Sequence, residues 1–217
     1  MKGLQSTGMC ALCGESGISK RSIERHLVMC LKHVQKTSDE KFFHLFVTDP
    51  YNSRYWLHIE AVESATVQTL DWFLREIWVE CCGHLSQFSI GGPTRKLKDV
   101  LAQRRKFSYE YDFGTTTDLS LEVIARGAPV SFGKNAVRLL ARNDALDIPC
   151  YICEKTATVV CLDCQQELRG PHDELRMFFC EMCINARSKH SHHDDEEMRL
   201  PVVNSPRMGV CGYTGEK

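Results

Sequence analysis

Apolar and polar positions follow clear periods through the middle of the chain. Residues 42–47 (FFHLFV) and 54–62 (RYWLHIEAV) are rich in aromatic and β-branched side chains, and Asp49-Pro50-Tyr51-Asn52 between them is a turn signal. Two strands are predicted there. Val67, Leu70, Phe73, Leu74, Ile77 and Trp78 then recur at helical spacing, predicting a helix that ends near Gly83. Alternation returns over residues 84–90 (HLSQFSI) and stops at Gly91-Gly92-Pro93. After a basic segment and a short helix, residues 106–114 (KFSYEYDFG) and 117–127 (TDLSLEVIARG) alternate, and residues 136–144 (AVRLLARND) read as a last strand. Tyr109, Tyr111 and Phe113 are expected on one sheet face, with Gly114 making the turn. The order predicts an α+β fold, a mainly antiparallel sheet with packed helices, over residues 42–146.

The two ends lack this density of apolar positions and carry cysteine instead. The chain has 217 residues, 43% hydrophobic and 25% charged, with 27 Lys+Arg against 28 Asp+Glu. That balance excludes wholesale disorder and a globally basic nucleic-acid protein. No run approaches the ~20 apolar residues of a membrane helix, and the start has no apolar signal core. A cytoplasmic, reducing setting is expected. In that setting 12 Cys, four pairs of them spaced C-x2-C, point to metal rather than disulfides.

At the N-terminus Cys10, Cys13, His26 and Cys30 read C-x2-C-x12-H-x3-C, a finger spacing with Cys as last ligand. Ser22 is placed to cap a helix running to about His33. On it His26 and Cys30, four apart, share a face. Ile23, Leu27, Leu31 and Val34 supply a minimal apolar stripe. Residues 1–36 therefore read as a separate zinc finger of the CCHC type.

From residue 148 to 217 the spacing is C-x2-C-x7-C-x2-C-x15-C-x2-C-x6-H-x2-H. Eight ligands suit two tetrahedral ions. Alternating pairs suggest a cross-brace resembling B-box modules. Cys150, Cys153, Cys180 and Cys183 would hold one ion, and Cys161, Cys164, His190 and His193 the other. His192 competes with His193, His172 is a weaker candidate, and sequential pairing stays open. Thr156 to Val160 reads as a short strand. Too few apolar residues remain for an independent core, so zinc must drive folding. Three structural zinc ions per chain are expected. Cys81, Cys82 and Cys211 are left outside, the first two read as buried thiols at a helix end.

Tyr55-Trp56-Leu57-His58-Ile59-Glu60, the helix from Thr66 to Glu80, His84-Leu85-x-x-Phe88, Phe107-x-Tyr109-x-Tyr111-Asp112-Phe113-Gly114 and Leu119-x-Leu121-Glu122-Val123 together resemble the plasmid Ri open-reading-frame family, also labelled transposon-passenger TnpR-like. The resemblance covers about residues 42–145, with Thr115 where the family usually has Asp. It implies an α+β fold and a prokaryotic or mobile-element origin, and no particular reaction.

No catalytic residue is nominated. Asp112-Phe113-Gly114 lacks the Gly-rich loop, lysine and catalytic loop of a kinase, and hydrolase, phosphate-loop and H-E-x-x-H motifs are absent. Arg95, Lys96, Lys98, Arg104, Arg105 and Lys106 form a short basic segment before two tyrosines, a modest nucleic-acid footprint. The expected role is recognition or adaptation, with a protein partner first and nucleic acid second. An enzyme hidden in the central domain is the alternative class.

Overall fold

The computed structural model describes residues 6–33, 40–127, 135–170, 173–186 and 196–215. The chain divides into two compact units, Met1–Asp144 and Ala145–Lys217.

The first unit is α+β, built on one antiparallel sheet. Its elements are β1 (Thr7–Cys10), β2 (Ile18–Ser19), α1 (Ile23–Leu31), β3 (Phe42–Thr48), β4 (Trp56–Val62), α2 (Val67–Leu74), β5 (Ser86–Phe88), α3 (Leu97–Leu101), β6 (Lys106–Tyr111), β7 (Thr117–Gly127) and β8 (Val137–Asn143). The eight strands lie in the order β2-β1-β8-β4-β3-β7-β6-β5. The β3–β4 turn forms as its residues dictate. Asp49 Oδ1 accepts from Tyr51 N at 2.7 Å and Asn52 Oδ1 from Arg54 N at 3.3 Å, side chains standing in for backbone turn bonds. All seven positions of β4 are buried, so both faces of this inner strand are covered.

The N-terminal segment is not a separate finger. Its β1 pairs with β8, Gly8 against Asn143 and Cys10 against Ala141. Its apolar stripe continues the core: Cys10, Ile23 and Leu27 pack in one cluster with Trp56, Leu140 and Ala141. Trp56 ties the two further, donating from its indole N–H to Ser6 Oγ at 2.7 Å and from its backbone N–H to Asn143 Oδ1 at 3.0 Å. Burying Ile23 and Leu27 fully contributes about 1.5–3 kcal/mol each. The neighbouring sheet completes their burial, and the described residues of the N-terminal segment share one unit with residues 42–144. Ser22 precedes α1 without a side-chain capping bond, its hydroxyl accepting from Ser19 Oγ instead.

The predicted helix after β4 begins at Thr66, whose hydroxyl accepts from Thr69 N. It finishes in a π-helical turn over Arg75–Val79. The strand expected over 84–90 is only Ser86–Phe88, so His84 lies in the loop before β5. Tyr109 and Tyr111 are buried on β6 as expected, but Phe113 is exposed. The positive φ of that turn falls on Asp112 (64°), not on Gly114. Asp112 can hold it because its carboxylate accepts from Gly114 N, Thr115 N and Thr115 Oγ1.

The second unit holds β9 (Val159–Cys161), α4 (Leu162–Gln166), β10 (Phe178–Phe179), α5 (Glu181–Asn185) and β11 (Arg199–Pro201), its sheet ordered β10-β9-β11. Contrary to expectation it has an apolar core of its own. Ile148, Ala157, Val160 and Phe178 are buried together, with Leu146, Leu175, Val202 and Met208 packed around them. The closing segment supplies β11 and, through Val202 and Met208, part of that packing. Among the described residues no helix is long and apolar enough to cross a membrane.

Candidate metal centres

Two sets of four donors are assembled, one in each unit. Cys10, Cys13, His26 and Cys30 offer ligand atoms all within 4.8 Å of one another, and so do Cys150, Cys153, Cys180 and Cys183. An ion with Zn–S near 2.3 Å and Zn–N near 2.0 Å sets tetrahedral edges of about 3.8 Å between sulfurs and about 3.5 Å between sulfur and nitrogen. The observed edges fit. His26 Nε2 stands 3.2 Å from both Cys13 Sγ and Cys30 Sγ, and Cys153 Sγ stands 3.6 Å from Cys180 Sγ.

Local sequence explains why each pair aims at one point. Cys10 and Cys150 open the same kind of knuckle. Cys10 N donates to Glu15 O and Gly14 N to Cys10 O; Cys150 N donates to Lys155 O and Glu154 N to Cys150 O. The residue after each second cysteine has positive φ, 80° at Gly14 and 61° at Glu154. Cys161, the last residue of β9, and Cys180, the residue after β10, instead stand at the N-cap positions of two short helices, α4 and α5, whose first turns carry Cys164 and Cys183. On α1, His26 and Cys30 share a face one turn apart, as their spacing predicts.

Protonation shows what the clusters need. Backbone N–H donation from Glu15, then the His26 side chain, lower the Cys13 thiol to about 7. Burial, then the neighbouring Cys13 and Cys10, push Cys30 up to about 12. In the second unit burial opposes ionisation of Cys150, but backbone donors from Cys180, Ile152 and Cys153 outweigh it and bring the thiol down to about 6. Cys183 is pushed up to about 12 by its contact with Cys153 and by burial. One thiolate forms readily in each set, while burial and neighbouring thiols hold Cys30 and Cys183 protonated. A divalent cation removes that conflict.

Of the other four expected ligands, Cys161 and Cys164 adjoin one another. Burial, then Cys161, raise Cys164 to about 12. His190 and His193, with the alternatives His192 and His172, lie outside the described residues.

A third cluster falls on residues the spacing rules passed over. Cys81, Cys82 and His84 also offer ligand atoms within 4.8 Å of one another. Cys81 is half-buried and Cys82 exposed, so neither is the buried thiol expected. The available signal was two adjacent thiols and a histidine across one glycine at a helix end.

Beside this turn, Val67, Gln68, Asp71, Arg75, Ser86 and Phe88 are among the residues lining a cavity of about 450 Å³. Asp71 is its one buried acid. Oδ1 accepts from Ser86 Oγ at 2.7 Å and Tyr109 OH at 2.8 Å; Oδ2 accepts from Arg75 Nε at 2.8 Å and Gln68 Nε2 at 3.1 Å. Both oxygens are occupied, so this carboxylate anchors the fold. The basic segment is partly spent too: Arg105 Nε and Lys106 Nζ meet Glu122 at 3.0 and 3.2 Å, and Arg104 Nη1 donates to Ser89 O.

No protein-family model and no curated protein matches the chain. A solved structure, that of the protein of unknown function MM3350 from Methanosarcina mazei Go1, is similar at 19% identity and a TM-score of 0.42, over 48% of this chain and 70% of that chain.

Proposed function

We propose that the chain is a zinc-stabilised recognition protein whose partner is another protein. The carrying observation is that the Cys10/Cys13/His26/Cys30 and Cys150/Cys153/Cys180/Cys183 sets each supply four donors. A reacting zinc keeps a position for water or substrate, and these sets leave none, so their ions serve the fold. Cys161 and Cys164 with His190 and His193 hold a third structural zinc. The central domain is kin to the plasmid Ri open-reading-frame family, whose characteristic segments it carries in order.

Exposed apolar side chains carried between paired ligands support a protein partner. Tyr151 and Met182, each between two ligands of a C-x2-C pair, are 52% and 68% exposed. Rigid turns that present such residues make binding anchors at low entropic cost. Nucleic acid is the weaker class, because Glu122 already engages Arg105 and Lys106.

Cross-linking in the native host, with Tyr151→Ser and Met182→Ser as paired variants of unchanged zinc content, tests the reading. A protein captured by the parent chain and lost from the variants is expected. Tight binding to mixed DNA or RNA at low salt, where phosphate contacts are strongest, would overturn the choice of partner.

A further inference from the structure

We propose that Cys81, Cys82 and His84 form a further metal site, one that takes zinc or a similarly thiophilic divalent ion. The edges match those of the two four-donor sets. Cys81 Sγ and Cys82 Sγ are 3.6 Å apart and Cys82 Sγ is 3.0 Å from His84 Nε2. Two thiolates and an imidazole are a donor set suited to zinc, and one turn supplies three of the ion's ligands.

The turn is held in a chelating shape from the protein side. Arg75, in the π-helical turn, donates from Nη1 to Glu80 Oε2 at 2.7 Å and from Nη2 to His84 O at 2.7 Å, clamping both ends of the segment. Glu80 Oε1 accepts from Gly83 N at 2.6 Å and from Tyr111 OH at 3.0 Å. The Tyr111 oxygen in turn accepts from Cys81 N at 3.4 Å and His84 N at 3.3 Å. Gly83 takes φ 79°, a left-handed conformation that turns the histidine back over Cys82 and that a side chain at this position would strain. The His84 ring stands edge-on to Tyr111, centroids 5.8 Å apart. Such outer contacts fix the rotamers of metal ligands and typically set 10–100-fold of affinity.

The inference is independent of the two four-donor sets, and its test reads a difference rather than a total. Metal content of the purified full chain is compared with that of Cys82→Ser/His84→Ala. The expected result is loss of about one ion per chain with the remaining ions kept, whatever their number. Tyr111→Phe, which keeps all three ligands, is expected to weaken this one site 10–100-fold against a competing chelator. A second measurement needs no variant. In reducing buffer, iodoacetamide should label Cys82 slowly in the metal-loaded chain and quickly after chelation, although Cys82 is exposed. Equal metal content in parent and double variant, or equal labelling of Cys82 before and after chelation, overturns the site.

Discussion

His44 Nε2 lies 3.0 Å from His58 Nδ1 inside the central sheet, with each ring nearly cut off from water. One of these two nitrogens must carry the bridging proton and the other must not, and burial disfavours a charge on either ring. Both flanking ladders slip at these residues, β3 against β7 between His44 and Leu45, β4 against β8 between His58 and Ile59. The bulges re-aim side chains locally without breaking the sheet.

That pair makes stability pH-dependent. Burial lowers His44 to about 4, and burial, then His44 and Lys20, lower His58 to about 3. Unfolded histidine protonates near 6.5. The stability the neutral pair contributes is therefore fully present above pH ~6.5 and is lost as pH falls from there towards 4 and below, since the unfolded chain binds the extra protons. Site-resolved NMR should show both rings neutral at pH 5.5; a ring that titrates near 6.5 contradicts this.

Arg138→Met should be among the most damaging changes to the first unit. Glu60 is fully buried, and Arg138 Nε and Nη2 reach its Oε2 at 2.9 and 2.6 Å. Removing the partner leaves a buried charge at a cost of about 3–5 kcal/mol, and adding Glu60→Gln should recover most of it. All three tryptophans, Trp56, Trp72 and Trp78, lie in the first unit, so their fluorescence in urea reports the transition. An unshifted midpoint in Arg138→Met would refute the pairing.

Gly8→Ala probes the union of the N-terminal segment with the sheet. A Cβ there would overlap the Trp56 ring and the Arg142 carbonyl. A loss of about 1–3 kcal/mol is expected from overpacking, with weaker metal retention at Cys10 two residues on. A free-standing finger would tolerate the change.

The sequence made the ends legible wherever ligands were close in spacing. C-x2-C pairs and a His–Cys pair one helical turn apart are local geometry, and the α+β pattern of the middle is local periodicity. What escaped depends on distant partners. The four-residue β1 is a strand because β8 pairs with it, and β11, three residues ending in proline, because β9 does. Cys81, Cys82 and His84 converge through Arg75, Glu80 and Tyr111, a network no spacing rule encodes. Phe113 left its expected face because Asp112, through its own carboxylate, ends the strand at Tyr111, two residues early.

Chelation should separate the two units. The second has a small core and relies on metal worth on the order of 10 kcal/mol per structural site. Hydrogen exchange after metal removal should show protection lost over β9, β10 and β11 while β3, β4 and β7 keep theirs. Uniform retention of protection would mean that the cysteine sets are incidental to folding.

The most direct measurement is elemental analysis of the full chain beside Cys13→Ser/Cys30→Ser and Cys150→Ser/Cys180→Ser. The account predicts about three structural zinc ions and a further one at Cys81, Cys82 and His84, with each double variant about one ion short of the parent. A parent chain with one zinc or none, iron in place of zinc, or variants that keep the parent's full content would contradict it.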